Sequence, residues 1–161
     1  MVSRRLCLAL GAALLSACTT LPKAPPADPG APYWSGRIAI QVEGDARQAF
    51  SADFELQGQA RAGQLTLTSP LGTTLAQMDW TPQRARLQRG TQEAMYDSVE
   101  TLVLQGTGVA LPLQALFDWL DGRAAPAAGW EPDLSQFHEG RITARRTDPL
   151  PRVELRIRLS R

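Results

Sequence analysis

Residues 65–80 read LTLTSPLGTTLAQMDW. Leu65 and Leu67 alternate with Thr66 and Thr68, and alternation resumes through Ala76, Met78 and Trp80. Period-two patterning on both sides of Ser69-Pro70-Leu71-Gly72 predicts two strands joined by a turn. Pro70 presets φ and Gly72 tolerates positive φ, so both suit the turn. Leu71 suits it less, because a leucine at a turn tip has poor access to the core of its own sheet. It either folds back under the turn, the ordinary fate of a leucine, or points outward because something apolar must touch it.

The same period recurs on either side of this hairpin. In Arg37 to Val42, Ile38, Ile40 and Val42 share one face and Arg37, Ala39 and Gln41 the other. Gly44-Asp45 is a turn signal. From Phe50 to Leu56, the residues Phe50, Ala52, Phe54 and Leu56 alternate with Ser51, Asp53 and Glu55. Gly58 to Gly63 and Thr81-Pro82-Gln83 read as further turns, and Ala85 to Gln88 as a short strand. Strands resume at Trp130, over Gly140 to Arg146, and over Arg152 to Leu159, where Val153, Leu155, Ile157 and Leu159 share a face.

Two segments carry helical spacing instead. Ser98 to Gln105 places Val99, Leu102 and Val103 on one face, with Asp97 or Ser98 as N-cap and Gly106 to Gly108 as the end. Pro112 opens a second helix whose stripe is Leu113, Leu116, Phe117 and Leu120, widened by Trp119 and closed by Gly122. Arg123 to Gly129 reads as a loop. Consecutive half-apolar strands with short turns imply antiparallel pairing, and nine or ten of them in one sheet must curl. The fold expected is mainly β: an unclosed, strongly curved antiparallel barrel, apolar faces inward and charges outward, with two helices packed inside or over one mouth as a lid.

The 161 residues suffice for one domain. With 43% hydrophobic and 20% charged residues and a formal net charge of +1, the composition is that of a globular protein without a strong field. Aromatic residues make up 6% and are not interleaved with basic ones, so nothing calls for nucleic acid.

Met1 to Cys18 begins with Arg4 and Arg5 and continues as an apolar run, Leu6 to Leu15, too short for a stable bilayer span. Ser3-Arg4-Arg5 faintly resembles a twin-arginine signal, although two arginines in such a region are common. Leu15-Ser16-Ala17-Cys18 resembles a lipobox, in which the cysteine thiol takes a diacylglycerol; the alternative is a plain secretory signal with an incidental cysteine. The expected organisation is a signal peptide over 1–17, a lipidated Cys18 with a Pro-rich tether over 18–33, and a single domain over 34–161. Loss of 1–17 removes Cys7, which would leave no free thiol or disulfide. Thr19 follows Cys18; among sorted bacterial lipoproteins an aspartate there usually signals inner-membrane retention, so its absence points outward. Pro22, Pro25, Pro26, Pro29 and Pro32 favour an extended tether.

Catalytic signatures are missing. His138 is the single histidine and cannot build a metal cluster by itself. It reads as a strand-end surface residue. There is no G-x-S-x-G elbow and no P-loop, and Asp118 and Asp121 read as solvated carboxylates at a helix end. No cofactor, metal or catalytic residue is expected.

Four segments in order (WSGRIAI, SADFELQG, SPLGTTLAQMDW and LPLQALFDWLDGR) resemble the LolB family of outer-membrane lipoprotein receptors, from Trp34 to the C-terminus. The resemblance implies an unclosed antiparallel barrel with helices inside as a lid around an apolar cavity. It implies a monomer anchored by lipid in the outer membrane and facing the periplasm. Such a protein takes acylated lipoproteins from a LolA-like carrier and releases them into the membrane. It also implies that Pro70, Leu71 and Gly72 form a protruding membrane-insertion loop. On this reading the acyl site is lined by Ile38, Ile40, Phe50, Phe54, Leu65, Leu67, Met78, Trp80, Leu102, Leu116, Phe117 and Leu120, although an ordinary filled core predicts the same periodicity. The chain departs from the better-known relatives in having no evident room for a helix before its first strand. A scaffolding lipoprotein without cargo, a soluble acyl carrier resembling LolA and, last, a hydrolase remain as alternatives.

Overall fold

A computed structural model describes residues 30–160, with backbone alone over 45–48. Nine strands form one antiparallel sheet: β1 (Tyr33–Val42), β2 (Asp45–Gln59), β3 (Ala62–Thr68), β4 (Thr74–Thr81), β5 (Arg84–Arg89), β6 (Gln92–Tyr96), β7 (Trp130–Asp133), β8 (Arg141–Arg146) and β9 (Val153–Leu159). Their order is β6-β5-β4-β3-β2-β1-β9-β8-β7, so every ladder but β1–β9 joins strands consecutive in sequence. β6 and β7 are the free edges, and the barrel is not closed.

Register follows from the alternating pattern, because a slip of one residue would turn every apolar side chain to solvent. Ile40 opposes Phe50 and Leu155, Phe54 opposes Leu67, Leu65 opposes Met78, and Ile142 opposes Ile157. These side chains share the inner face. The outer face carries cross-strand ion pairs, among them Arg37–Asp53 at 3.0 Å, Arg86–Asp79 at 2.6 Å and Arg145–Glu154 at 2.8 Å.

The chain passes from edge β6 to edge β7 through two helices, α1 (Val99–Thr107) and α2 (Leu113–Leu120). Ser98 caps α1, its hydroxyl accepting from the Thr101 N–H at 3.2 Å. Helix α1 contacts β5 and β6. It runs through Gly106 rather than stopping there: Arg89 donates to the Gly106 carbonyl at 2.8 Å, and left-handed Gly108 closes the end. Helix α2 faces β1 and β7. Phe117 meets Trp34 edge-on at 5.5 Å between centroids, and Trp119 lies 6.3 Å from Trp130. The helices thus bridge the seam from the inside. No helix among the described residues is long and apolar enough to cross a membrane.

Several local expectations change. Residues 92–96 form an edge strand that their weak alternation did not announce. Strand β2 runs on to Gln59, and Gly58 and Gly63 pair in the ladder rather than forming the turn, which is Ala60-Arg61. The indole N–H of Trp80 reaches that turn, donating to the Ala60 carbonyl at 3.0 Å. His138 is exposed in a 3-10 turn, Phe137–Glu139, ahead of β8. Asp118 and Asp121 both pair with Arg123, at 2.6 and 2.9 Å. The expected signal peptide, Cys18 and most of the expected tether lie outside the described residues.

Candidate functional site

The turn between β3 and β4 is built tightly. The Ser69 N–H donates to the Thr73 carbonyl at 2.8 Å, and the Gly72 N–H donates to the Ser69 carbonyl at 2.9 Å. The Ser69 hydroxyl accepts from the Thr73 N–H at 3.1 Å. Gly72 sits at φ 84°, a conformation that costs other residues about 1–2 kcal/mol. Below the turn the register shifts: Leu67 opposes Ala76 and Thr68 opposes Thr74, leaving Leu75 as the extra residue of a bulge. Hydrogen bonds and bulge together fix the direction of the tip. Leu71 does not fold back; it is 94% exposed.

The twelve residues expected to line an acyl site all belong to the helices or to one face of the sheet. Ile40, Phe54, Leu67, Met78, Trp80, Leu102, Leu116, Phe117 and Leu120 are buried, and Ile38, Phe50 and Leu65 are half-buried. Trp119, read from sequence as merely widening the α2 stripe, is completely buried, with its indole N–H donating to the Ala125 carbonyl at 2.9 Å. These side chains pack against one another as one core.

Three clefts open at the margins of that core. One of about 600 Å³ runs between the starts of α1 and α2 and the loop 125–128, with Val99, Leu111, Leu113 and Ala115 in its wall. Another, of about 690 Å³, lies beside the Gly44 turn, lined by Val42, Ala49, Arg145, Arg146, Arg152 and Val153 among others. The third, of about 640 Å³, borders Gly36 and Arg158 and includes Phe54, the one member of the twelve to line any of the three.

Arg146 was missed in the sequence and breaks the rule of charges outward. It is 9% exposed and opposes Val153 and Trp130 on the inner face. Parity was the available signal: Ile142, Ala144 and Arg146 alternate with Arg141, Thr143 and Arg145. Its Nη2 donates to the Pro151 carbonyl at 3.2 Å, its guanidinium lies 5.8 Å from the Trp130 ring centre, and its Nε is buried without a partner. On the outer face, the hydrogen bonds that Arg37 donates to Asp53 and Arg86 donates to Asp79 raise the pKa values of both guanidinium groups further above their ordinary range. Among the described residues, no group of three or more His, Cys, Asp or Glu side chains could hold a metal ion.

Comparison with known families matches residues 33–153 to the one described as outer membrane lipoprotein LolB. The match takes in strands β1 to β8, both helices and the first residue of β9. The chain belongs to the LolB family. Relatives carrying the name outer-membrane lipoprotein LolB include that of Bordetella petrii, 31% identical over 92% of this chain and 87% of its own length. Those of Cupriavidus pinatubonensis and Alkalilimnicola ehrlichii are 34% and 35% identical, covering 87% and 76% of this chain and 70% and 67% of theirs. Membership makes the protein an outer-membrane lipoprotein of the lipoprotein-localisation system.

Proposed function

We propose that the protein accepts acylated lipoproteins from a LolA-like periplasmic carrier and inserts them into the outer membrane as a monomer, without nucleotide hydrolysis. The observation that carries this reading is Leu71, 94% exposed on a hydrogen-bonded tip. A single leucine entering acyl chains gains on the order of 1.5–3 kcal/mol, too little to anchor a protein but enough to orient one already tethered. The tether is Cys18, lipidated after loss of residues 1–17. Hand-over needs no external energy source. Burying acyl chain is worth about 0.8 kcal/mol per methylene, and exchange between two apolar sites leaves only a small difference for packing to set.

Cargo chains would occupy the core face now covered by α1 and α2, so the helices must move aside as a lid. The filled core favours a second reading, a scaffolding lipoprotein without cargo. A fluorescent fatty acid separates the two: the receptor binds it saturably, and Leu116→Ala or Phe117→Ala weakens that binding more than it lowers Tm. Wild-type protein that binds no probe leaves the scaffold.

Leu71→Glu tests the tip. Labelled lipoprotein is passed from carrier to this protein and then to liposomes, with the two steps scored separately. The first step should stay near wild type and the second should stop, so that loaded protein accumulates, because a charge resists entering lipid. Insertion at the wild-type rate would reject the role. Cys18→Ala should abolish incorporation of labelled palmitate; equal labelling would reject the anchor.

A further inference from the structure

The β3–β4 tip is not the only apolar point on its end of the barrel. Val42 pairs with Asp45 and Val153, Arg146 pairs with Val153, and Thr68 pairs with Asp53. The alternating strand directions therefore point the Gly44 turn, the β8–β9 connection and the Leu71 tip toward one rim, the tip rising from a pair eight residues farther along β2 than Asp45. The β8–β9 connection reads Asp148-Pro149-Leu150-Pro151, and Leu150 between its two prolines is 74% exposed. Beneath that connection lies the cleft of about 690 Å³ lined by Arg146.

The charges of this cleft are unevenly matched. Arg145 pairs with Glu154 at 2.8 Å and Arg152 with Glu43 at 3.7 Å. Arg146, nine-tenths buried, makes no ion pair among the described residues, and its Nε has no partner. A guanidinium withdrawn from water without a counter-charge is costly, and an anion that reaches it relieves the cost. Phosphate matches the fork of guanidinium donors best. The acyl-cysteine anchor of a lipoprotein is uncharged and cannot serve.

We propose that the cleft binds the phosphate of a membrane phospholipid, Arg146 donating to its oxygens while Leu150 enters the neighbouring acyl layer. An exposed leucine beside a buried, unpaired arginine has the amphiphilic order of a phospholipid: apolar chain, then anionic head. The proposal rests on the reading that this rim meets the membrane. It adds a second contact, on the far side of β1 and β2 from Leu71, that fixes rotation of the barrel on the surface.

Calorimetry on the full-length lipidated protein in neutral detergent tests it with three probes: dihexanoyl phosphatidylglycerol, dihexanoylglycerol and inorganic phosphate. The phospholipid should bind saturably and at least tenfold more tightly than either of the others. Arg146→Gln should weaken it tenfold or more, Arg146→Lys less, and Leu150→Ser a few-fold. Equal binding of inorganic phosphate would make this a free-anion site, and equal binding of dihexanoylglycerol would remove phosphate from the account; either overturns the proposal, as does unchanged affinity in Arg146→Gln. If the Arg146 variants fail to fold, the three probes on wild-type protein still decide. Leu71→Glu keeps the two readings apart: it should leave phospholipid affinity unchanged while stopping liposome insertion. Normal insertion by Leu71→Glu would fault the tip, whereas loss of affinity in the Arg146 and Leu150 variants but not in Leu71→Glu supports the cleft.

Discussion

The β3–β4 tip and the end of helix α2 carry the same local signal, a leucine followed at once or shortly by a glycine with positive φ. Gly72 lies at φ 84° and Gly122 at φ 78°. Their surroundings are opposite. A Cβ on Gly72 would meet nothing within 4 Å, whereas one on Gly122 would stand 2.6 Å from the Phe137 ring. Leu71 is solvent-exposed and Leu120 is buried. Local sequence therefore sets the bend in both places, but tertiary packing decides whether the leucine beside it is core or contact surface.

The largest break in this comparison comes from charging each region. Phe54→Asp puts a carboxylate on the packed face and should cost several kcal/mol, read as a fall in urea midpoint or as failure to fold. Leu71→Asp should move stability by less than about 0.5 kcal/mol. Next come the glycines. Gly72→Ala should cost about 1 kcal/mol, for the left-handed backbone alone, while Gly122→Ala should cost clearly more because Phe137 must also shift; equal losses by thermal denaturation would mean that the ring yields freely. Ser98→Ala should cost about 1 kcal/mol through the lost α1 cap. If the helices lift as a lid, that variant should also speed hydrogen exchange in α1 before β4 is affected.

The smallest effect concerns the loop after β7. The Asp133 carboxylate accepts from the Ser135 hydroxyl at 2.6 Å and the Ser135 N–H at 3.0 Å, and these bonds lower its pKa, hydroxyl first. Its contribution is therefore present above the unfolded aspartate value and is lost as pH falls through the folded one. Acid titration of stability should be marginally steeper in wild type than in Asp133→Asn.

Strand and helix types were readable because alternation and helical spacing are strong where one face is buried, as in Phe50 to Leu56 and Leu113 to Leu120. Residues 92–96 were not, since a short edge strand in which only Ala94 and Tyr96 are half-buried keeps little apolar periodicity. Leu71 could be singled out because its neighbours Pro70 and Gly72 exclude it from the strands. Arg146 could not: strand parity placed it inside, but an arginine is ordinarily assigned to solvent, and only the geometry around Trp130 and Pro151 gives it a buried place. Whether the inner face is core or cavity was unreadable for a physical reason. Both require the same apolar side chains at the same spacing, and they differ only in what fills the space between them.

The strand order has a consequence for how the molecule is made. Strands β1 to β6 can zip successively as neighbouring hairpins, each closing a short loop. β1 has its second neighbour in β9, the last strand, so its free edge waits for almost the whole chain to arrive. β7 and β8 join the rest of the sheet only through β9. A chain delivered N-terminus first would hold β1 paired with β2 on one edge and open on the other until β9 appears, the condition that favours mispairing with a neighbour. Truncation within Val153–Leu159 should therefore not trim the barrel but divide it, leaving a six-strand meander and an orphaned hairpin that cannot find each other.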